Sequence, residues 1–600
     1  MPSIGQRYNV NQYSVQYLLG LIEAGQIAIP EIQRPFVWNA TKVRNLMDSL
    51  YQGYPVGYLI GWKNPDVRLK DGSLSNGKLV LIDGQQRVTA MMAALAGRPV
   101  TNKRYLPTRI RIAFHPLDER FEVYNSAIAK NAEWIPDISR LFGPDGDLFK
   151  LVKTYCEHNP GADESRVFAS LSSLKNITNH NVGFIELSHD LDIETVTEIF
   201  IRVNSAGVTL NQADFAMSKI SVNETYGGNT LRKAIDYFCQ LAVQPSMFDS
   251  IKRDASFVSS EYFPKISWLK DEAEHLWDPS YTDVLRVAFT SEFHRGRLED
   301  LVALLSGRNF DTKTYEEWII EDSFARLKRG FLTFANATRF KDLMMILRSA
   351  GFVDPGMIGS ANAIVFAYIL YHLLKQRQIP ASDIQRTVRR WFVMSLLTGR
   401  HSVSFETQFE QDARMIMQAA NPLDYIEQAF RGVLSDAFWT VVLPQRLVSS
   451  SGNNQFFHIY TAAQIRAGDK GFLSSDFSVK DLVEIKSDVH HLFPKAYLQK
   501  HGYVQAQYNQ IANYVIAQSE INIAISSREP VVYMQIVREQ VGGGPKRLGG
   551  ITDLDQLVEN LRQNCVPESI FCATHDDYPS FLEERRHLMA DKIRRYFESL

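Results

Sequence analysis

The sequence predicts a multidomain α+β protein: an N-terminal α/β domain, a mostly helical middle region and a separate C-terminal domain. Three observations carry this. Short strand-like and helix-like segments alternate over the first ~120 residues and return over 183–220. From about 228 to 445, leucines and aromatics recur at the three- to four-residue spacing of helices. A Ser-rich, amide-rich break, SSSGNNQ at 449–455, then sets off the remainder. The expected divisions are 1–225, 226–448 and 456–600, in keeping with 600 residues at roughly 100–200 per domain.

The elements follow in order. SVQYLLGLIEA (14–24) reads as a short helix. In IAIPEIQRPFVWN, Pro30 and Pro35 exclude a helix and leave a pinned, extended segment. TKVRNLMDSLYQG (41–53) sets Val43, Leu46, Met47 and Leu50 at helical spacing, with Asn39 or Thr41 as cap. PVGYLIGWK reads as a strand. GKLVLIDGQQRVTAMMAALAG reads as strand, tight polar turn and helix, and RIRIAFHP (109–116) as another strand. VGFIELS is a strand, and DIETVTEIFIRVNSAGVTLNQADFAMSKI is helix, turn, helix.

At 45% hydrophobic and 22% charged, the composition is that of a globular protein with apolar material for several cores. A net charge of −2 gives no global pull on nucleic acid. The charge is uneven, however. Residues 1–114 carry fourteen Lys/Arg against six Asp/Glu, a local excess of eight that would attract phosphates. Cys156, Cys239, Cys565 and Cys572 form no CxxC pair, which argues against a zinc ribbon and fits a reducing cytoplasm. The first residues, MPSIGQRYNVNQYS, lack an apolar signal core, and stretches such as Ala363–Leu374 are too short to span a bilayer. The expectation is a soluble cytoplasmic protein with no membrane partner.

DVHHLFPKAYL spans 488–498, and Asn509, Asn513 and Asn522 follow in YNQIANYVIAQSEINIAI. The segment resembles the core of HNH (His-Me finger, ββα-metal) nucleases. Such a site needs a base to deprotonate water, a divalent cation to polarise the phosphate, and a hairpin-plus-helix to hold both. Histidine suits the base because its neutral form is available near pH 7. On this resemblance His491 is the base. His490 stands where Asp is the usual metal ligand, and Asn522 is the second ligand. Asn513 matches the middle Asn that ties the loop, and Asp488 orients one of the histidines. Histidine at 490 is a softer ligand than aspartate, with Mg²⁺ or Mn²⁺ still the expected metal. Lys495 beside the motif, and Arg585 or Arg586 on the basic amphipathic helix of 581–600, are offered to the DNA backbone.

LIDGQQRVTAMMAAL is the second motif. Asp83-Gly84 forms a turn between strand and helix, and Gln85, Gln86 and Arg87 open the helix, where free N–H groups and the helix dipole favour anions. Arg87 adds a bidentate phosphate donor. Gln33 and Arg34 offer a second polar pair. The combination of IQRPFVW, DGQQR and IFIRVNSAGVTLNQADF closely resembles GmrSD-type (type IV) modification-dependent restriction enzymes, whose DGQQR-motif domain is similar to the ParB-like nucleotide-binding fold. The resemblance covers most of 10–220 and again 385–600. It implies that the N-terminal domain binds and hydrolyses a nucleoside triphosphate. Gln33, Arg34, Gln85 and Gln86 would line that site, Asn204 would lie near it, and Asp83 and Arg87 would serve hydrolysis. No Walker A loop is present.

These readings lead to an NTP-regulated, metal-dependent DNA endonuclease of antiphage defence that restricts modified or foreign DNA. Two rivals are a nucleotide-switched DNA-binding protein with a degenerate nuclease domain, and a ParB-like nickase acting through the N-terminal domain. Self-association into a homo-oligomer stays open, as do the nucleotide and the DNA modification recognised.

Overall fold

The computed structural model describes residues 7–28, 38–63, 79–101, 107–143, 146–188, 212–223, 225–272, 276–449, 454–487 and 489–600, with a few single positions between them. The chain divides into two compact units. The first comprises 1–233 and 243–260, and the second 234–242 and 261–600. The molecule is helix-rich; among the described residues, the first unit holds a five-stranded sheet and two two-stranded ones.

The five-stranded sheet takes β1 (Tyr8–Ser14), β2 (Ile27–Ala28), β3 (Leu59–Lys63), β4 (Leu79–Asp83) and, much later in the chain, the strand Asn181–Leu187, in the order β1, 181–187, β3, β4, β2. The strand 181–187 runs antiparallel to β1 and parallel to β3, while β4 is antiparallel to β3 and parallel to β2. Residues alternate between the two faces of a strand. Leu59, Leu81, Val182 and Phe184 therefore join one core, and Ile60, Trp62 and Leu187 another.

The first core is completed by three helices: α1 (Val15–Glu23), α2 (Ala40–Tyr51) and α3 (Gln85–Leu95). Ser14 caps α1 by accepting from the Tyr17 amide. Asn39, not Thr41, caps α2, accepting from the Lys42 amide. The apolar positions read from the sequence, Val43, Leu46, Met47 and Leu50, are the buried face of α2.

β4 passes into α3 through Gly84, whose φ of 92° lies in the left-handed region. A side chain there would also strike Leu59, with Cδ2 only 2.1 Å from the added carbon. Glycine is thus required twice, for conformation and for space. A two-stranded ribbon, Ile112–His115 against Arg120–Val123, covers α2.

In the second unit, the helices Tyr281–Phe293, Glu317–Phe334, Ala361–Gln376 and Ala381–Thr398 pack on one another. The apolar run Ala363–Leu374 is buried on all sides. A helix apolar all round lies inside a protein or a membrane, and here it forms the middle of the helical core. Among the described residues, no helix is long and apolar enough to cross a membrane.

Residues 456–600 belong to the same unit, so the Ser-rich stretch at 449–455 runs within it. The final helix, Tyr578–Glu598, packs on the segment 438–446, and the Arg389 guanidinium donates to the Leu600 carbonyl at 2.7 Å.

Candidate nuclease and nucleotide sites

Val489–His491 form a short strand that pairs antiparallel with Tyr514–Ile516, with His491 opposite Tyr514. The helix Ser519–Ile525 follows directly, giving a local strand–strand–helix order. Between the strands the chain is anchored by burial: Leu492 and Phe493 are fully inside.

Asn513 is buried and makes three bonds with its side chain. Its Oδ1 accepts from the Phe493 amide at 2.8 Å, and its Nδ2 donates to the carbonyls of Phe493 and Tyr508, each at 3.1 Å. Tyr533 adds a fourth tie, its hydroxyl donating to the Leu492 carbonyl at 2.9 Å. The loop after His491 is therefore held from both sides.

His491 sits half-buried at the end of its strand. Its Nε2 lies 2.9 Å from the Asn509 Oδ1, and its ring stands edge-on to Tyr514 at 5.1 Å and 89°. An amide oxygen only accepts, so Nε2 carries the hydrogen and Nδ1 keeps the lone pair. Burial lowers the imidazole pKa, the Asn509 bond raises it, and the charge of Lys495 lowers it; the net shift is downward from 6.5. The ring is thus neutral near pH 7 and can accept a proton.

The other C-terminal candidates separate by environment. His490, the neighbouring strand residue, is buried, and Asn522 is exposed on the helix after the hairpin. Lys495 is exposed, with its ammonium 5.7 Å from the Tyr508 ring centre. Among the described residues, no three His, Cys, Asp or Glu side chains gather as a metal cage.

The expectation for Arg585 is overturned. It is fully buried and gives its N–H groups to four backbone carbonyls: Ala512 at 2.7 Å, Tyr514 at 2.8 Å, Asn564 at 3.1 Å and Cys565 at 3.2 Å. A guanidinium so enclosed cannot meet a phosphate. It clamps the loop and strand behind His491 instead. Composition and helical period place an Arg on a solvated face, and only tertiary packing shows it turned inward.

The DGQQR turn also assembles. The Arg87 Nη2 pairs with Asp83 Oδ2 at 2.8 Å across the Gly84 turn, and its Nη1 donates to the Val56 carbonyl at 3.1 Å. A side chain at Gly57, φ 84°, would come within 2.6 Å of that guanidinium nitrogen. Gln85 folds back onto β4, donating to the Leu81 carbonyl at 3.0 Å. Gln86 is half-buried beside it. Gly84 provides no side-chain cap to α3, so the first-turn amides carry the positive end of the helix dipole toward this turn.

Sequence reasoning missed Asn509 as the partner of His491, Tyr533 and Arg585 as supports, and Gly57 as the residue that makes room for Arg87. Asn509 was visible four residues before Asn513, but spacing alone could not show which asparagine faces the histidine. Gln33, Arg34, Asn204 and Asp488 lie outside the described residues.

The chain is 20% identical to the uncharacterized protein MJ0686 of Methanocaldococcus jannaschii, an alignment that covers 97% of this chain and 98% of that protein. Residues 15–221, which hold four strands of the five-stranded sheet and the Asp83–Arg87 turn, match the family model described as the GmrSD restriction endonuclease, N-terminal domain, and this match supports the GmrSD restriction endonuclease family.

Proposed function

We propose that the protein is a metal-dependent DNA endonuclease, regulated by a nucleoside triphosphate, that restricts modified or foreign DNA in antiphage defence within the cytoplasm. The observation that carries the reading is the His491 ring: half-buried, neutral near pH 7, oriented by Asn509 and set at the end of a strand–strand–helix hairpin. Nδ1 of His491 would take the proton of the attacking water as the new P–O bond forms and the bond from phosphorus to the leaving sugar oxygen breaks. His490 and Asn522 are the residues to hold a Mg²⁺ or Mn²⁺ ion, an imidazole and an amide oxygen that suit a site shared with water and phosphate. When bound there, such an ion would supply polarisation of the scissile phosphate and offset charge on the leaving oxygen. Lys495, exposed beside the motif, faces the backbone of the bound DNA.

In the first unit, the Asp83–Arg87 turn is the nucleotide site. Asp83 and the Val56 carbonyl hold the guanidinium beside Gly57, which leaves its further N–H groups to a phosphate. Gln85 and Gln86 open the same helix. Gln33, Arg34 and Asn204 complete the site on the strength of the family resemblance. The DGQQR residues and the family match to 15–221 support this half of the reading.

Cleavage of plasmid by the purified full-length chain in Mg²⁺ or Mn²⁺, with and without nucleoside triphosphates, tests the nuclease reading. His491→Ala is expected to lose about 10²–10⁴-fold in rate while keeping its melting temperature. Equal cutting by this variant and the wild type would end the nuclease assignment.

A further inference from the structure

The first unit holds a cavity of about 270 Å³ whose walls include Trp38, Val100, Arg109, Arg111, Val123 and Tyr124. It lies away from the Asp83–Arg87 turn. Those residues sit at the N-terminal end of α3, whereas Arg109 approaches Gly97, beyond its C-terminal end. Eleven residues of helix separate the two by about 16 Å.

Two features give this cavity a chemistry. Burial alternates through 109–111, so Arg109 and Arg111 face outward while Ile110 between them is buried. Both guanidiniums are then fixed in place. Arg109 donates to Asp137 at 3.0 Å, and Asp137 is itself buried and bonded by the Ser139 hydroxyl at 2.6 Å. The Arg111 guanidinium carbon sits over the Tyr124 ring, 3.4 Å from its centre. Among the described residues, the walls present two positive charges and no carboxylate.

An arginine plane backed by a tyrosine offers its outer face for stacking, as nucleic-acid-binding proteins use such planes for unstacked bases. Trp38, half-buried, supplies a second aromatic surface. A volume of about 270 Å³ is just below the usual range of ligand pockets, ~300–1,000 Å³. It accommodates one base and not a whole nucleoside triphosphate. Arg109 and Arg111 also belong to the N-terminal stretch 1–114, which carries a local excess of eight positive charges.

The geometry points to a subsite for one unstacked nucleotide of a DNA strand, with the base against Arg111 and Trp38 and a flanking phosphate on Arg109. The inference rests on DNA being the partner of this chain. Its test reads binding in EDTA, so it stands or falls separately from cleavage.

The experiment is fluorescence anisotropy of the full-length protein with three labelled oligonucleotides of one sequence: paired duplex, duplex with one unpaired base, and single strand. The unpaired-base duplex is expected to bind more tightly than the paired one. Arg111→Ala and Trp38→Leu should each abolish that preference and weaken binding to it about tenfold, with unchanged melting curves. Arg109→Ala, which removes the phosphate contact, should lower the slope of log affinity against log salt by about one. Arg111→Lys, which keeps the charge and loses the plane, should keep the salt slope and lose the preference. Equal binding of all three DNA forms by wild type and variants overturns the subsite, as does an absence of DNA binding. Displacement of the oligonucleotide by free ATP or GTP, seen in wild type and lost in Arg111→Ala, overturns it in favour of a free nucleotide.

Discussion

At the residue scale, the decisive relation is that between His491 and Asn509. The imidazole presents its lone pair only because the amide oxygen takes the hydrogen of the other ring nitrogen. Partners of this kind orient a working side chain without touching substrate, and their loss typically costs 10–100-fold. Asn509→Ala should therefore reduce cutting by roughly that factor, less than His491→Ala does, with little effect on melting because Asn509 is not a core residue. Plasmid cleavage rates for the two variants, measured side by side, decide this. A wild-type rate for Asn509→Ala would mean that the bond does not govern the ring. Motif spacing made Asn513 legible as the tie of the loop after His491. It could not show that Asn509 is the asparagine that faces the histidine, since that follows from side-chain direction in a short irregular segment.

Elements are where glycine and asparagine set backbone geometry. Gly84 joins β4 to α3 with a left-handed conformation and with Leu59 against its α-carbon. Gly84→Ala should cost about 1–2 kcal/mol for the conformation alone, and more for displacing Leu59. A thermal melt should show the loss, together with weaker nucleotide binding, since Arg87 is carried by the same turn. An unchanged melting temperature would contradict the assigned turn. Asn513→Ala should cost about 2–4 kcal/mol, because it takes the side-chain partner from the buried Phe493 amide and carbonyl, while the Tyr508 carbonyl keeps the Gln510 amide and the Tyr578 hydroxyl. Urea unfolding measures this directly, and a loss below about 0.5 kcal/mol would show that water replaces the side chain.

For the whole molecule, stability in acid follows from a buried network in the second unit. Asp412 is fully buried and accepts from Arg400, His401, Gln408 and Tyr425. Burial raises its pKa, but the bonds from His401 and Arg400 outweigh that and hold it below 3.8. Burial pushes His401 below 6.5, against the pull of Asp412. Both folded values lie below the unfolded ones, so on the acid side the unfolded chain binds more protons. The stabilisation is complete above pH ~6.5 and is lost as pH falls, first through the His401 range and then through that of Asp412. The melting temperature should drop accordingly between neutral pH and pH ~4. Asp412→Ala should cost about 3–5 kcal/mol at neutral pH by leaving Arg400 unpaired, and its acid slope should be shallower. A slope equal to that of the wild type would remove Asp412 from the account.

The coupling of the two proposed sites also belongs to the whole molecule. If nucleotide governs cutting, Arg87→Ala should lose triphosphate hydrolysis and change the cleavage of modified DNA together. Loss of hydrolysis with wild-type cleavage would leave two working sites and no switch.

What the sequence determined by itself was local. Hydrophobic period set α1, α2, β3, β4 and the strand 181–187, because a buried face repeats every 3.6 or 2 residues whatever lies opposite, while β1 was not legible as a strand. Turn chemistry set the Asp83–Arg87 corner, because only glycine tolerates the conformation at position 84. Tertiary structure decided the relations between distant segments. It brought strand 181–187 into the sheet between β1 and β3, and set residues 261–449 and 456–600 in one compact unit. It also turned Arg585 from an apparently solvated face into a clamp on four carbonyls. The physical reason is the same in each case. A charged side chain or an irregular segment is placed by the partners that satisfy it, and those partners lie far away in the chain.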